Sequence, residues 1–213
     1  MGETRIPAGE LTQRLVDRLC HDIAGSIQAL SSGLDLLGEA DDPAGREEAA
    51  SLLADALAGQ KAKLVFARRA FGSAPPVTEA AELAGLARGQ FGDLRAGLDW
   101  AVEAEHLGPT ASRCLLNLVQ IAAEILAVGG VARVMARTRS AGAEIVIESR
   151  GPRLILREET RAGLAGEPFG AGLAGRWVQG ALVSELARAA GGRIKMDEAD
   201  GAVTIRVDLP PGA

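Results

Sequence analysis

Apolar residues at Leu19, Ile23, Ile27, Leu30, Leu34 and Leu37 recur at steps of three and four, the narrow seam of a helix packed in a bundle. The pattern predicts one long helix from about Ala8 to Gly38. Past "GEADDPAG", Asp42 is placed to cap and Pro43 to open a second helix, with a seam at Leu53, Leu57, Gln60, Leu64, Ala67 and Phe71. Two such helices make an antiparallel hairpin. Alone, it leaves one side of each seam wet, so two copies are expected to pair into a four-helix bundle, and a homodimer is predicted.

"FGSAPPV" interrupts the pattern with Gly72, Pro75 and Pro76 and reads as a linker. It divides the chain into a hairpin, residues 1–72, and a second unit, residues 77–213. The second unit reads as a helix from about Thr78 to Phe91, then a strand "GLDWAVE" with Leu98, Trp100 and Val102 on one side, then a helix from about Pro109 to Val128. Strands "VARVMART" and "AEIVIES" follow, joined by a Ser-Ala-Gly turn. A Gly-rich loop leads to a helix from about Gly175 to Ala190, stopped by Gly191 and Gly192, and strands "RIKM" and "AVTIRVDL" close the chain. The fold class expected is α+β, a helical hairpin followed by an α/β two-layer sandwich.

Composition narrows the class of function. The 213 residues are 47% hydrophobic, enough for a sizeable core, and no stretch reads as a membrane span or a signal core. Cys20 and Cys114 belong to no CxxC pair, so neither a disulfide framework nor a zinc pattern is expected, and a reducing cytoplasm fits. The net charge is -5, with four Phe, two Trp and no Tyr. A nucleic-acid groove wants basic residues interleaved with aromatics, so the expected partner is protein, not nucleic acid or membrane.

One of the two histidines lies in the first helix, in "RLCHDIAGSIQALSSGLDLL". At about 100° per residue, the seam spans roughly 80° of arc and His21 lies about 165° from its mean direction, so it faces solvent. The same outward stripe holds Arg14, Asp17, Ala24, Gly25, Gln28 and Ser32. Gly25 and Gly33 each cost about 1 kcal/mol relative to alanine in an exposed helix, which suggests that something approaches closely. Cys20, His21 and Asp22 are consecutive and fan out around the helix, so a metal site is not expected. An exposed imidazole is substantially neutral at cellular pH, since free imidazole titrates near about 6.5, and its ring nitrogen is a competent nucleophile toward phosphorus. Arg18, three residues earlier, is near enough to steady a phosphoryl charge, and Asp22 is a candidate to orient the ring or repel the product.

These stretches, with "RRAFG", "LDWAVE", "LLNLVQIAAEILAVGGVARV" and "GLAGEPFGAGLAGRWVQGALVSELARAAGGRI", together resemble the ChpT-type bacterial histidine phosphotransferases. The resemblance implies a dimeric bundle and a histidine-kinase-like α/β domain without kinase chemistry. One departure is Gly25-Ser26, where the family often has a proline. Asn117 matches the first asparagine of the kinase N-box, but Ile121 stands where magnesium would be ligated. Ser149-Arg150-Gly151-Pro152-Arg153 replaces the adenine-reading turn, and Trp177-Val178-Gln179-Gly180 replaces the glycine loop. No cofactor is therefore expected, neither ATP nor a metal of its own, with magnesium supplied by the partner.

The resemblance implies a relay of phosphoryl groups through His21, from the receiver aspartate of a hybrid sensor kinase to response regulators, often those of the bacterial cell cycle. Asp22 and Arg18 are its candidate auxiliaries. Arg14, Asp17, Ala24, Gly25 and Gln28 are the candidate docking stripe. Lys61 and Arg68, with Lys63 and Arg69 near, form a basic face that is either simply solvated or docks an acidic receiver. The alternatives are a non-catalytic pseudokinase scaffold and an ATP-dependent kinase. "GAGLAG", Gly170 to Gly175, reads as a flexible loop and not a phosphate site, His106 as a surface loop residue and Cys114 as core.

Overall fold

The computed structural model of the chain describes residues 7–72, 75–92, 94–167 and 178–213. Helix α1 runs over Ala8–Glu39 and α2 over Pro43–Ala70. The Asp42 carboxylate accepts the Gly45 N–H at 2.7 Å, with Pro43 opening the helix as expected. Such a cap contributes about 1 kcal/mol. The two helices pack antiparallel. Gly33 does not serve an outside partner: it is buried, and a Cβ there would lie 2.7 Å from Leu53 Cδ2 of α2. The close approach inferred from its missing side chain is that of the neighbouring helix.

The second unit consists of α3 (Ala80–Phe91), β1 (Ala96–Val102), α4 (Pro109–Ile125), β2 (Gly130–Arg139), β3 (Gly142–Arg150), α5 (Glu158–Leu164), α6 (Gln179–Ala189), β4 (Arg193–Ala199) and β5 (Ala202–Leu209). The strands form one sheet in the order β1-β2-β3-β5-β4. Only β1 and β2 are parallel, the pair that a helix connects, while every other pairing is antiparallel. Short α5 was not anticipated. Its seven residues are too few for a 3.6-residue period to show, and a single turn of close packing sets it in place. A Cβ on Gly163 would come within 2.7 Å of the Ala181 nitrogen, and one on Gly180 within 2.6 Å of the Thr160 oxygen. The start expected for α6 at Gly175 and the "GAGLAG" loop lie outside the described residues, as does Trp177.

Turn chemistry sets the sheet register. Asp200 and Gly201 both have positive φ, 54° and 70°, and join β4 to β5 as a two-residue loop between paired Ala199 and Ala202. That geometry matches the twist of the strands it connects. On β2 and β5 the residues Ala132, Val134, Ala136, Val203, Ile205 and Val207 point inward and are buried. The outer face is charged and self-paired, with Arg133 on Asp99 and Arg206 on Asp208. One face toward helices and one toward water gives the alternation of an antiparallel sheet.

Helix α4 is the centre of the core, nearly all of it buried, Cys114 included. Burial in apolar surroundings pushes the Cys114 thiol up to about 12. The hairpin is not a separate bead on a linker. Phe66 and Ala70 at the end of α2 belong to the same core cluster as α4 and the sheet. Asn117 fastens the joint: its amide donates to the carbonyls of Ala70 and Arg113, each at 2.9 Å. Among the described residues no helix is long and apolar enough to cross a membrane.

Asn117→Ala removes the bond to the buried Ala70 carbonyl, which is expected to cost about 1–3 kcal/mol. Urea unfolding of wild type and variant measures it; an unchanged midpoint would contradict the joint described here.

Candidate functional site

His21 lies at mid-length of α1 with a side chain 58% exposed. Around it Asp17, Ala24, Gly25, Gln28 and Ser32 are exposed, and Arg14 is half-buried and pairs with Glu10 at 3.6 Å. Nothing lies within 4 Å of where a Gly25 Cβ would be. The stripe read from helical phase is therefore on the surface, with open space at Gly25 beside the imidazole.

Consecutive residues on a helix diverge, yet the Asp22 carboxylate returns toward the ring. Its Oδ1 lies 3.5 Å from His21 Nδ1, while Oδ2 accepts from Arg18 Nε at 2.8 Å. Arg18 thus stands one helical turn before Asp22 and pins one oxygen, leaving the other to face the imidazole. A carboxylate behind Nδ1 favours the tautomer with hydrogen on Nδ1 and leaves the Nε2 lone pair for chemistry.

Arg18 is not a free cation beside the histidine, as expected from its spacing; it is buried. Its Nη1 donates to Gln179 Oε1 at 3.1 Å and its Nη2 to Glu124 Oε1 at 2.8 Å. Burial works to lower its pKa, but Glu124 and Asp22 more than offset this and raise it, so the guanidinium is charged. The sequence signal was present in the four-residue spacing to Asp22. Nothing local could reveal Glu124 and Gln179, which are over a hundred residues away.

A cleft of about 300 Å³ opens beside His21 between α1 and α2. Its walls include Asp22, Ser26, Asp55, Gly59 and Lys63. Lys63 was seen in the sequence only as part of a basic face, and the structure sets it on the histidine's cleft. Lys61 and Arg68 do not line it. They follow Leu57 and Leu64 in helical step, and those two leucines are 45% and 44% exposed on an apolar face.

In the α/β unit, the residues that depart from the kinase pattern are split between surface and core: Arg150, Pro152 and Arg153 are exposed, while three others are packed. Ile121 is 1% exposed, Ser149 is buried, and Gln179 is buried with its oxygen on Arg18. His106 is exposed and bridges Glu79 by backbone.

Residues 80–202, more than half of the chain, match the family model described as the histidine phosphotransferase C-terminal domain. The chain belongs to this family. The protein phosphotransferase ChpT of Brucella abortus (strain 2308) is 27% identical over 152 residues, which cover 70% of this chain and 71% of that protein. A solved bacterial phosphotransferase matches with a TM-score of 0.84 at 24% identity, over 97% of this chain and 99% of its own. The ChpT-type resemblance read from the sequence is thus borne out, and so is the α+β fold. The family match lies in the α/β unit and does not reach His21. The histidine phosphotransferase family supplies the chemistry to test against it.

Proposed function

We propose that this chain is a phosphorelay intermediate in which His21 takes a phosphoryl group from one receiver-domain aspartate and gives it to another. The observation that carries this reading is the solvated His21 imidazole with the Asp22 carboxylate behind its Nδ1. The Nε2 lone pair attacks phosphorus in line, the N–P bond forms, and the bond from phosphorus to the receiver carboxylate breaks, with its electron pair leaving on the carboxylate. No proton has to move. The ring becomes a phosphorylated imidazolium whose Nδ1–H faces Asp22, and the reverse step delivers the group to a second receiver.

The open stripe from Arg14 to Gln28 supports docking of a receiver from a hybrid sensor kinase or a response regulator, with Gly25 giving it room. Lys63, on the cleft with His21, offers positive charge to the phosphoryl oxygens in place of the committed Arg18. No ATP is used, and the receiver's own acidic pocket brings magnesium. The burial of Ile121 and Gln179 supports that, because neither offers a ligand to a nucleotide or cation.

The chain is proposed to work as a homodimer. Val16, Ile27 and Leu34 on α1 are 52%, 58% and 60% exposed, and Leu57 and Leu64 continue the apolar face on α2. A second hairpin would cover them and complete a four-helix bundle, leaving His21 outward.

Incubating wild type and His21→Ala with a phosphorylated receiver, at neutral or alkaline pH to preserve phosphohistidine, tests the reading. Label on the wild type and a loss of at least a hundredfold on the variant are expected; equal labelling contradicts the assignment, and receiver binding with no transfer by either points to a scaffold. Light scattering of Ile27→Glu/Leu34→Glu is expected to give half the wild-type mass, and a monomeric wild type at micromolar concentration would contradict the dimer.

A further inference from the structure

The stripe Leu11, Leu15, Arg18 and Asp22 advances along α1 in steps of four, three and four, so these residues share one face. It begins as an apolar contact, in which Leu11 packs with Val178 and Ala181 and with half-buried Leu15 and Leu182 around them. One turn on, it becomes the Arg18 bonds to Gln179 of α6 and Glu124 of α4. Another turn on is Asp22, with one oxygen on Arg18 and the other 3.5 Å from His21 Nδ1. A continuous chain of contacts thus leads from the α/β unit to the back of the imidazole.

Building on the assignment of His21 as phosphoacceptor, we infer that Arg18 is a positioning residue through which Glu124 and Gln179 of the α/β unit set Asp22 against His21 Nδ1. The α/β unit then takes part in phosphoryl transfer without touching the phosphoryl group. Its charges alternate, with Glu124 negative, Arg18 positive, Asp22 negative and the imidazolium of the phosphorylated ring positive. Glu124 shares the guanidinium with Asp22, so Asp22 keeps more of its charge for the ring than it would if Arg18 had no other partner. Gln179, 1% exposed, adds a neutral acceptor that fixes the plane of the guanidinium without competing for its charge. A purely mechanical joint between the units needs no such bond to Asp22, since Leu11, Phe66 and Ala70 already pack there.

The chain has only two histidines, so 15N-histidine labelling gives two imidazole spin systems, assigned by His106→Gln. The ring nitrogens report the tautomer directly. In wild type the Nδ1–H form of His21 is expected to dominate. Arg18→Met and Glu124→Gln should both shift the His21 ring nitrogens, and both should slow acceptance from a phosphorylated receiver, Arg18→Met by about tenfold, the lower end of what losing an orienting partner costs. In an Asp22→Asn background the same two changes should alter neither the shifts nor the rate further. Unmoved His21 shifts in Glu124→Gln, which keeps the side-chain shape should Arg18→Met fail to fold, would overturn the inference. So would a tenfold loss that persists undiminished on top of Asp22→Asn. Neither result touches the identity of the phosphoacceptor, which His21→Ala tests separately.

Discussion

A guanidinium taken out of water must be surrounded by acceptors or it destabilises the fold by several kcal/mol. Arg18 finds its acceptors on both sides of the joint: Asp22 on its own helix, and Gln179 and Glu124 on the α/β unit. The hairpin can dock in only a few ways that satisfy all three. The apolar contacts of Leu11, Phe66 and Ala70 supply most of the attraction, being non-directional, and Arg18 supplies the geometry. Asn117 secures the other end of the joint by holding the carbonyl at the close of α2. At this junction of helices lies a cleft of about 200 Å³ whose lining mixes polar Arg18, Asp22, Gln60 and Gln120 with apolar Phe66 and Phe71.

Beyond the face that Leu11, Leu15 and Arg18 turn to the α/β unit, helix α1 divides its circumference among three duties. One arc, with Gly33 buried against Leu53, meets α2. A second carries exposed Val16, Ile27 and Leu34, apolar surface that a monomer in water keeps at a cost. The third presents His21, Gly25 and Gln28 to solvent. A helix can serve all three because its side chains radiate at about 100° per residue. The histidine sits far from the apolar arc, so the proposed pairing of two copies and the proposed approach of a receiver would not compete for the same surface.

Much of this was legible in residue order. Regular steps of three and four announced α1 and α2, Asp42-Pro43 announced the start of α2, and the turn glycines bounded the strands. The outward direction of His21 followed from phase alone. What stayed hidden were the identities of neighbours. Gly33 and Gly25 are the same residue on the same helix, one pressed on by Leu53 and the other open, and local sequence cannot separate them. Lys61 and Lys63 differ by two positions, hence by a little more than a half-turn, and only the packing of α2 decides which one shares the histidine's cleft. The partners of Arg18 are distant in sequence, so its position three residues before His21 pointed to the wrong duty. Seven-residue α5 left too short a pattern to read.

The central claim is that His21 carries the phosphoryl group on Nε2 while Nδ1 stays turned to Asp22. Phosphorus–nitrogen correlation by NMR on 15N-histidine-labelled protein, phosphorylated by a receiver and held at neutral or alkaline pH, measures it. The account predicts one phosphoramidate, coupled to Nε2 of His21. Phosphorus on Nδ1, on His106 or on an oxygen-bearing side chain would contradict it.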